Sequence, residues 1–279
     1  MIIGNKTFKN RTYIMGILNV TPDSFSDGGN FNTINKALKH TEQMIKDGAD
    51  IIDIGGESTK PNYTQISDEE EIERVVPIIE SIKARFDIPL SIDTYKPKVA
   101  KACAIANIDM INDIWGLKYN YQTSLQIANN APNQMANIIA QYNLPVCIMH
   151  NKANASYNNY ILDVINELKE SINIALAAGI TNDNIIIDPG VGFGKSYENN
   201  LEIINNLEAL HSLGYPILLG TSRKSVIGLT LDLPPSERLE GTIVTTTMGV
   251  LKGAMFIRVH DVKENKRAVL MSEKILGRW

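Results

Sequence analysis

The segment YIMGILNVTPDSFSDGG, residues 13–29, joins an apolar run to a long polar loop. The run is continuously apolar rather than alternating, which is typical of a strand covered on one or both faces in a parallel sheet. The loop after Asn19 holds hydroxyls, two carboxylates and two adjacent glycines, and it is longer than a hairpin turn requires. The segment therefore predicts a parallel strand whose carboxyl end opens into a functional loop.

The same unit, an apolar run followed by polar residues and a helical segment, recurs along the chain. Eight such units predict a (β/α)8 TIM barrel, in which the polar strand ends meet at one mouth. A doubly wound sheet is the alternative, although it would normally bind at one switch point. Residues 1–12, MIIGNKTFKNRT, predict a short N-terminal hairpin at the other end of the barrel. The eight runs are YIMGILN, ADIIDIGGES, PLSIDT, DMINDI, PVCIMH, IIIDPG, PILLGTS and AMFIRVHD.

Bulk composition narrows the class of protein. The chain has 279 residues, 44% of them hydrophobic, and no linker divides it, so we expect one domain over residues 1–279. A net charge of −4 and a pI near 5.7 argue against a nucleic-acid partner, because general polyanion binders are usually basic. No apolar run has the length of a membrane span, and the N-terminus lacks the apolar core of a signal peptide. We therefore expect a cytoplasmic protein with no membrane partner.

Polar residues close every predicted strand, and they offer two kinds of chemistry. Asp93, Asn112 and Asp188 supply acceptors and an amide, which suit a planar heterocycle rich in N–H donors. Basic side chains suit phosphate oxygens. The pattern predicts a substrate with a donor-rich head and an anionic tail, with acids at one end of the pocket and bases at the other. The basic candidates are Arg223, Lys224, Arg258 and His260, and the other strand-end residues are Asn19, Asp53, Glu57, Ser58, Thr59, Lys60, Thr94, Asp113, His150, Lys195, Ser222 and Asp261.

Two local patterns are similar to known motifs without matching them. GVGFGKS, residues 190–196, is one residue short of the phosphate-binding loop spacing, since Pro189 stands where the first glycine would be. We interpret it as a glycine-rich loop that lets the backbone approach a flat ligand.

His150 and His260 lack the spacing of zinc ligands. Cys103 and Cys147 lie in apolar segments, and we expect both in the core.

These residues carry a resemblance to the dihydropteroate synthase family. The motifs GILNVTPDSFSDGG, DIGGEST, SIDT, INDI, DPGVGFGK, TSRKS and RVHDV occur in that family's order, from about Tyr13 to Val262. The resemblance implies a (β/α)8 barrel. It also implies condensation of 6-hydroxymethyl-7,8-dihydropterin diphosphate with 4-aminobenzoate, giving 7,8-dihydropteroate and diphosphate with the help of Mg2+. A homodimer is implied as well.

The resemblance also implies roles for individual residues. Asn19 would bind Mg2+, and Ser225 would lie near the aminobenzoate. Lys60 stands where the family usually has Arg, so a bidentate contact there is not expected. The resemblance assigns the pterin to Asp93, Asn112, Asp188 and Lys224, and among these it implies a catalytic role for Asp93, Asp188 and Lys224. The residues that would bind the diphosphate are Thr59, Arg258 and His260. The residues that would lie in mobile loops are Asp23, Phe25, Asp27, Lys60 and Pro61.

Two other functions share parts of this pattern. A pterin-dependent methyltransferase would use the same acidic pocket but would not need the cations of SRKS and RVHDV, because its substrate has no diphosphate. A non-catalytic pterin-binding module would lack some motif residues. No motif residue is missing except the Arg that Lys60 replaces, which favours the synthase.

Overall fold

The computed structural model describes residues 1–21, 30–58, 64–119 and 133–278. The strands are β1 (Ile2–Ile3), β2 (Lys6–Thr7), β3 (Tyr13–Asn19), β4 (Ile51–Gly55), β5 (Leu90–Asp93), β6 (Met110–Asp113), β7 (Val146–Met149), β8 (Ile185–Asp188), β9 (Leu218–Leu219) and β10 (Phe256–Val259). Eight of them form one parallel sheet in the order β8-β7-β6-β5-β4-β3-β10-β9. A parallel bridge between Ile187 in β8 and Ile217, just before β9, joins the two ends of the sheet and closes the ring.

The predicted (β/α)8 barrel is therefore confirmed, and the doubly wound alternative is wrong because the sheet closes on itself. Helices follow the barrel strands, and in the described residues they are α1 (Asn30–Lys46), α2 (Asp68–Lys83), α3 (Pro97–Ile105), α4 (Gln134–Gln141), α5 (Tyr160–Ala177), α6 (Tyr197–Asn205), α7 (Ser225–Leu231), α8 (Leu239–Leu251) and α9 (Val262–Ile275). None of the helices within the described ranges is long and apolar enough to cross a membrane.

The N-terminal hairpin lies at the amino ends of the barrel strands, as predicted. Strands β1 and β2 pair antiparallel, and Ile3 and Phe8 pack into a buried cluster inside the barrel. That cluster includes Met110 and Cys147, so the predicted core position of Cys147 is confirmed. Burial of this apolar layer fills one end of the barrel, and the polar strand ends are left at the other.

Candidate active site

Arg258 organises the floor of the mouth. Its Nε donates to Asp53 Oδ2 at 2.6 Å, and its Nη2 donates to Asp93 Oδ2 at 2.6 Å. Asn112 donates from Nδ2 to the same oxygen of Asp53 at 3.2 Å. Four strands, β4, β5, β6 and β10, thus contribute to one hydrogen-bonded network. The network lies at their carboxyl ends, where barrel enzymes hold their active sites.

Two carboxylate oxygens of this network have no partner within the described part of the chain. They are Asp53 Oδ1 and Asp93 Oδ1, and both are buried. Burial, reinforced by the charge of Asp53, raises the pKa of Asp93 to about 7 although Arg258 opposes the shift. A buried acceptor without a donor costs free energy. A ligand with N–H donors or positive charge would relieve that cost.

Asp188 and Lys224 form the adjoining wall. Asp188 accepts the Gly190 N–H at Oδ1, 2.6 Å away, and burial raises its pKa. The Lys224 ammonium donates to the Val191 carbonyl and lies 4.7 Å from the centre of the Phe193 ring. Burial lowers the pKa of Lys224 to about 8, against the opposing charge of Asp188. A lysine held between a carboxylate and an aromatic face can donate to a ligand oxygen or nitrogen.

The glycine-rich loop after β8 covers this lysine. Gly190 and Gly194 have φ values of +68° and +53°, a left-handed conformation that glycine adopts without strain. A Cβ at Gly190 would collide with the His150 carbonyl oxygen, and one at Gly194 with the backbone of Lys152. These glycines therefore allow the loop to pack closely against the loop that follows β7, whereas the sequence predicts a close approach to a flat ligand.

The loops after β9 and β10 are tied together. Arg223 donates to both oxygens of Asp261, at 3.0 Å from Nε and 2.5 Å from Nη2. Ser222 Oγ accepts the His260 N–H at 3.2 Å and lies 3.0 Å from His260 Nδ1. Ser225 begins α7 and is exposed. Arg223 is therefore a structural cation here, whereas His260 is held by its backbone and its ring.

The expected separation of acids from bases is not what the structure shows. Arg258 lies between Asp53 and Asp93, and Lys224 lies beside Asp188. Each cation is interleaved with carboxylates because a buried charge needs a partner of opposite sign. Predicted site residues outside the described ranges are Asp23, Phe25, Asp27, Thr59, Lys60 and Pro61.

Asn19 ends β3 with an exposed side chain at the rim of the mouth, and a Cβ added at Gly55 would lie 3.4 Å from its Oδ1. Among the described residues, no group of three His, Cys, Asp or Glu side chains could hold a metal ion. Mg2+ commonly uses one or two protein oxygens and completes its shell with water and substrate phosphates. The amide oxygen of Asn19 fits that pattern, in which most ligands come from outside the protein.

Sequence reasoning missed one charged cluster beside the mouth. Lys96 Nζ lies 2.6 Å from Glu57 Oε2, 2.8 Å from Glu71 Oε2 and 2.8 Å from the Ile66 carbonyl. Glu57 also accepts the Ile66 N–H at 2.9 Å and the Tyr95 hydroxyl at 2.5 Å. The cluster binds together the chain before and after residues 59–63. Of its members, only Glu57 was among the predicted strand-end residues, and its contact with Lys96 at the N-cap of α3 has no local sequence signal.

A second cluster lies under the glycine-rich loop. His150, which we expected only as a strand-end residue, contacts Glu167 at 2.8 Å and Lys195 at 2.8 Å. Asp113 is also structural, because it accepts the Trp115 and Leu117 N–H groups at 2.8 Å each. These contacts separate the supporting residues from those that face the mouth.

Fold and site together define the class, a (β/α)8 barrel with interleaved carboxylates and cations at the carboxyl ends of its strands. Comparison with known proteins makes the class specific. The sequence profile of a family described as "pterin binding enzyme" matches residues 15–260.

Relatives extend the likeness over the whole chain. A dihydropteroate synthase of Clostridium beijerinckii is 58% identical, and the alignment covers 100% of both chains. A crystal structure of dihydropteroate synthase from Clostridium difficile, in the presence of pteroic acid, superposes with a TM-score of 0.89 at 48% identity, covering 96% of this chain and 98% of that one. A structure from Xanthomonas albilineans with 4-aminobenzoic acid gives a TM-score of 0.86 at 39% identity, covering 96% and 94%. The chain belongs to the pterin-binding enzyme family and, within it, to the dihydropteroate synthases.

Proposed function

We propose that this chain joins 6-hydroxymethyl-7,8-dihydropterin diphosphate to 4-aminobenzoate, giving 7,8-dihydropteroate and diphosphate. The observation that carries the proposal is a set of acceptors, the buried Asn112 and Asp188 and the buried Oδ1 of Asp93, beside the cations Lys224 and Arg258. Relatives with 48% and 39% identity were crystallised with pteroic acid and with 4-aminobenzoic acid, which are the product skeleton and one substrate.

The pocket suits the pterin ring. A 2-amino-4-oxo pyrimidine presents an amino group and a ring N–H side by side, and one carboxylate can accept both. Asp188 is the candidate for this contact because its Oδ1 is already fixed by Gly190. Lys224 would donate to the ring carbonyl oxygen or a ring nitrogen. Asp93 and Asn112 would bind the other edge of the bicycle.

The charges of the site favour early cleavage of the C–O bond. An aryl amine is a poor nucleophile, so we propose that the electron pair of this bond leaves with the diphosphate before the amine attacks. The resulting cation is delocalised from the exocyclic methylene into the ring, where the carboxylates of Asp93 and Asp188 stabilise it. The amine then forms the C–N bond and loses its proton to the departing diphosphate or to water.

The leaving group needs positive charge. Arg258 on β10 and His260 just after that strand would bind its oxygens. Asn19 would supply one oxygen ligand to Mg2+, whose charge would offset that of the leaving diphosphate. Thr59 would add a hydroxyl, but it lies outside the described residues.

The test is product formation from defined components. Dihydropteroate is measured by liquid chromatography, and diphosphate by phosphorus NMR, with each of aminobenzoate and Mg2+ omitted in turn. We expect both products only in the complete mixture. Methyl transfer from methyl-tetrahydrofolate, or pterin binding without diphosphate release, would establish one of the two alternatives instead.

We also propose a homodimer formed through the late helices. Large apolar side chains are exposed on α7, α8 and α9, among them Leu229, Val244, Met271 and Ile275. A patch of this kind on neighbouring helices marks an interaction surface. Val244→Glu should give a monomer in sedimentation equilibrium, whereas Leu162→Glu on α5 should leave a dimer. A cytoplasmic location stays a prediction.

A further inference from the structure

The Lys195 ammonium is surrounded by acceptors. His150 Nδ1 lies 2.8 Å from Nζ, the Phe193 carbonyl oxygen 3.0 Å and the His150 carbonyl oxygen 3.3 Å. An ammonium has three N–H donors and no acceptor, so these three contacts use all of them. Lys195 thereby joins the glycine-rich loop after β8 to the end of β7.

This arrangement fixes the tautomer of His150. Burial lowers the pKa of Lys195 to about 7, so below that pH the side chain is an ammonium that only donates. Nδ1 is then the accepting nitrogen, and the ring proton resides on Nε2, which faces the Glu167 carboxylate. Nε2 then donates to Glu167 Oε2 at 2.8 Å. The ring is almost fully buried, and burial, aided by the charge of Lys195, lowers the pKa of His150 to about 4 against the pull of Glu167. The imidazole is therefore neutral and oriented at both nitrogens.

Glu167 anchors the cluster in α5. Its other oxygen accepts from Lys152 Nζ at 2.6 Å, and Lys152 lies 4.3 Å from the centre of the Tyr157 ring. The Tyr157 hydroxyl donates to the Gly194 carbonyl at 2.6 Å. Two independent contacts, from Lys195 and from Tyr157, thus hold the glycine-rich loop against the loop that follows β7.

The held segment is the one that contacts Lys224. The Val191 carbonyl accepts a hydrogen bond from the Lys224 ammonium, which also lies over the face of the Phe193 ring. The Phe193 carbonyl, which belongs to the peptide bond with Gly194, accepts a hydrogen bond from Lys195. A displacement of the loop would therefore move both groups that orient Lys224.

We propose that His150, Lys195 and Glu167 form a positioning cluster that fixes the loop 190–194 and, through it, the Lys224 ammonium on the pterin side of the pocket. The cluster acts through Lys224 and does not touch substrate. The inference rests on the proposed function, since it assigns the cluster to pterin binding and not to aminobenzoate binding.

The main test compares two substitutions of His150, one that keeps an acceptor for Lys195 and one that removes it. His150→Asn keeps an oxygen near the position of Nδ1, where Lys195 donates, while His150→Leu has similar bulk and no acceptor. We expect His150→Leu and Lys195→Met to weaken binding of 6-hydroxymethyl-7,8-dihydropterin about tenfold in calorimetry, and His150→Asn to retain most of the affinity. The KM for aminobenzoate should stay within about twofold of wild type in all three.

Lys252→Met is the matched control, because Lys252 also donates to a carbonyl, that of Asn205, and pairs with Glu208, but on a distant surface. It should bind the pterin as wild type does. Equal losses in the Asn and Leu variants, or equal increases in both KM values, would show a merely structural role and overturn the inference.

Nitrogen NMR of the imidazole gives a readout independent of activity and of variant folding. At about pH 6, an ordinary histidine is largely protonated, whereas His150 should be neutral with its proton on Nε2. A doubly protonated ring, or a proton on Nδ1, would overturn the cluster as described.

If wild-type protein shows this tautomer but neither binds the pterin nor forms product, the proposed function fails and the positioning role in pterin binding fails with it. If wild type binds and the variants match it, the positioning role alone fails.

Discussion

Arg258 donates from Nε to the Asp53 carboxylate at 2.6 Å, although β3 separates the two strands that carry them. Asp53 is fully buried, and the second branch of the guanidinium binds Asp93. The orientation of Arg258 is thus fixed before any substrate arrives. Fixed charge of this kind lowers the reorganisation needed during reaction.

Loss of Asp53 should therefore destabilise the fold. Asp53→Ala leaves the Nε of Arg258 and the amide of Asn112 without their acceptor, so we expect the free energy of unfolding to fall by about 3 kcal/mol. Urea titration followed by circular dichroism measures the change.

Asp50→Ala is the control for that experiment. Asp50 also pairs with a cation, Lys266 at 2.8 Å, but both side chains are partly exposed. Its loss should cost about 1 kcal/mol. Equal losses at the two positions would contradict a special role for the buried pair.

Substitution at the pterin wall should abolish activity without unfolding. Asp188→Asn removes the charge that counteracts the effect of burial on the pKa of Lys224, and Lys224→Ala removes the donor itself. We expect each to lower kcat/KM more than about a hundredfold, with native circular dichroism. Activity near that of wild type in either variant would remove this wall from the active site.

Asp93 should make stability depend on pH. Its folded-state pKa of about 7 lies above the unfolded value of 3.8, so between these values the folded state keeps a proton that the unfolded chain has lost. The free energy of unfolding contributed by Asp93 therefore decreases as pH rises through this window and is constant above it. Relative to Asp93→Asn, wild type should lose about 2 kcal/mol between about pH 5 and pH 7.5. Parallel pH curves for the two proteins would show that Asp93 keeps an ordinary pKa.

Asn19→Ala should raise the Mg2+ concentration needed for half-maximal activity. The amide oxygen is the one protein ligand proposed for the ion, so its loss should leave a site that higher Mg2+ can still fill. Activity is measured across a Mg2+ titration at saturating substrates. An unchanged midpoint would remove Asn19 from metal binding.

Much of the fold could be read from local patterns. The run at Tyr13–Asn19 is a barrel strand with those bounds. Strand-end residues such as Asp93 and Asp188 were found because a parallel strand puts its last polar side chain at the mouth. Their roles toward ligands stay predictions.

Pairings between distant residues could not be read in that way. Asp53 and Arg258 are 205 positions apart, and nothing near either residue indicates the other. Lys195 and His150 were both seen as strand-end residues, but their contact depends on how two βα loops pack. Such ion pairs are set by distance and burial in space.

The sequence by itself determined the alternation of strands and helices and the polar residues that close each strand, because hydrophobic period and capping act over a few residues. Tertiary structure decided which charges neutralise one another. Closure of the barrel placed Arg258 among carboxylates instead of on a separate basic rim, since a charge removed from water requires an opposite charge within reach.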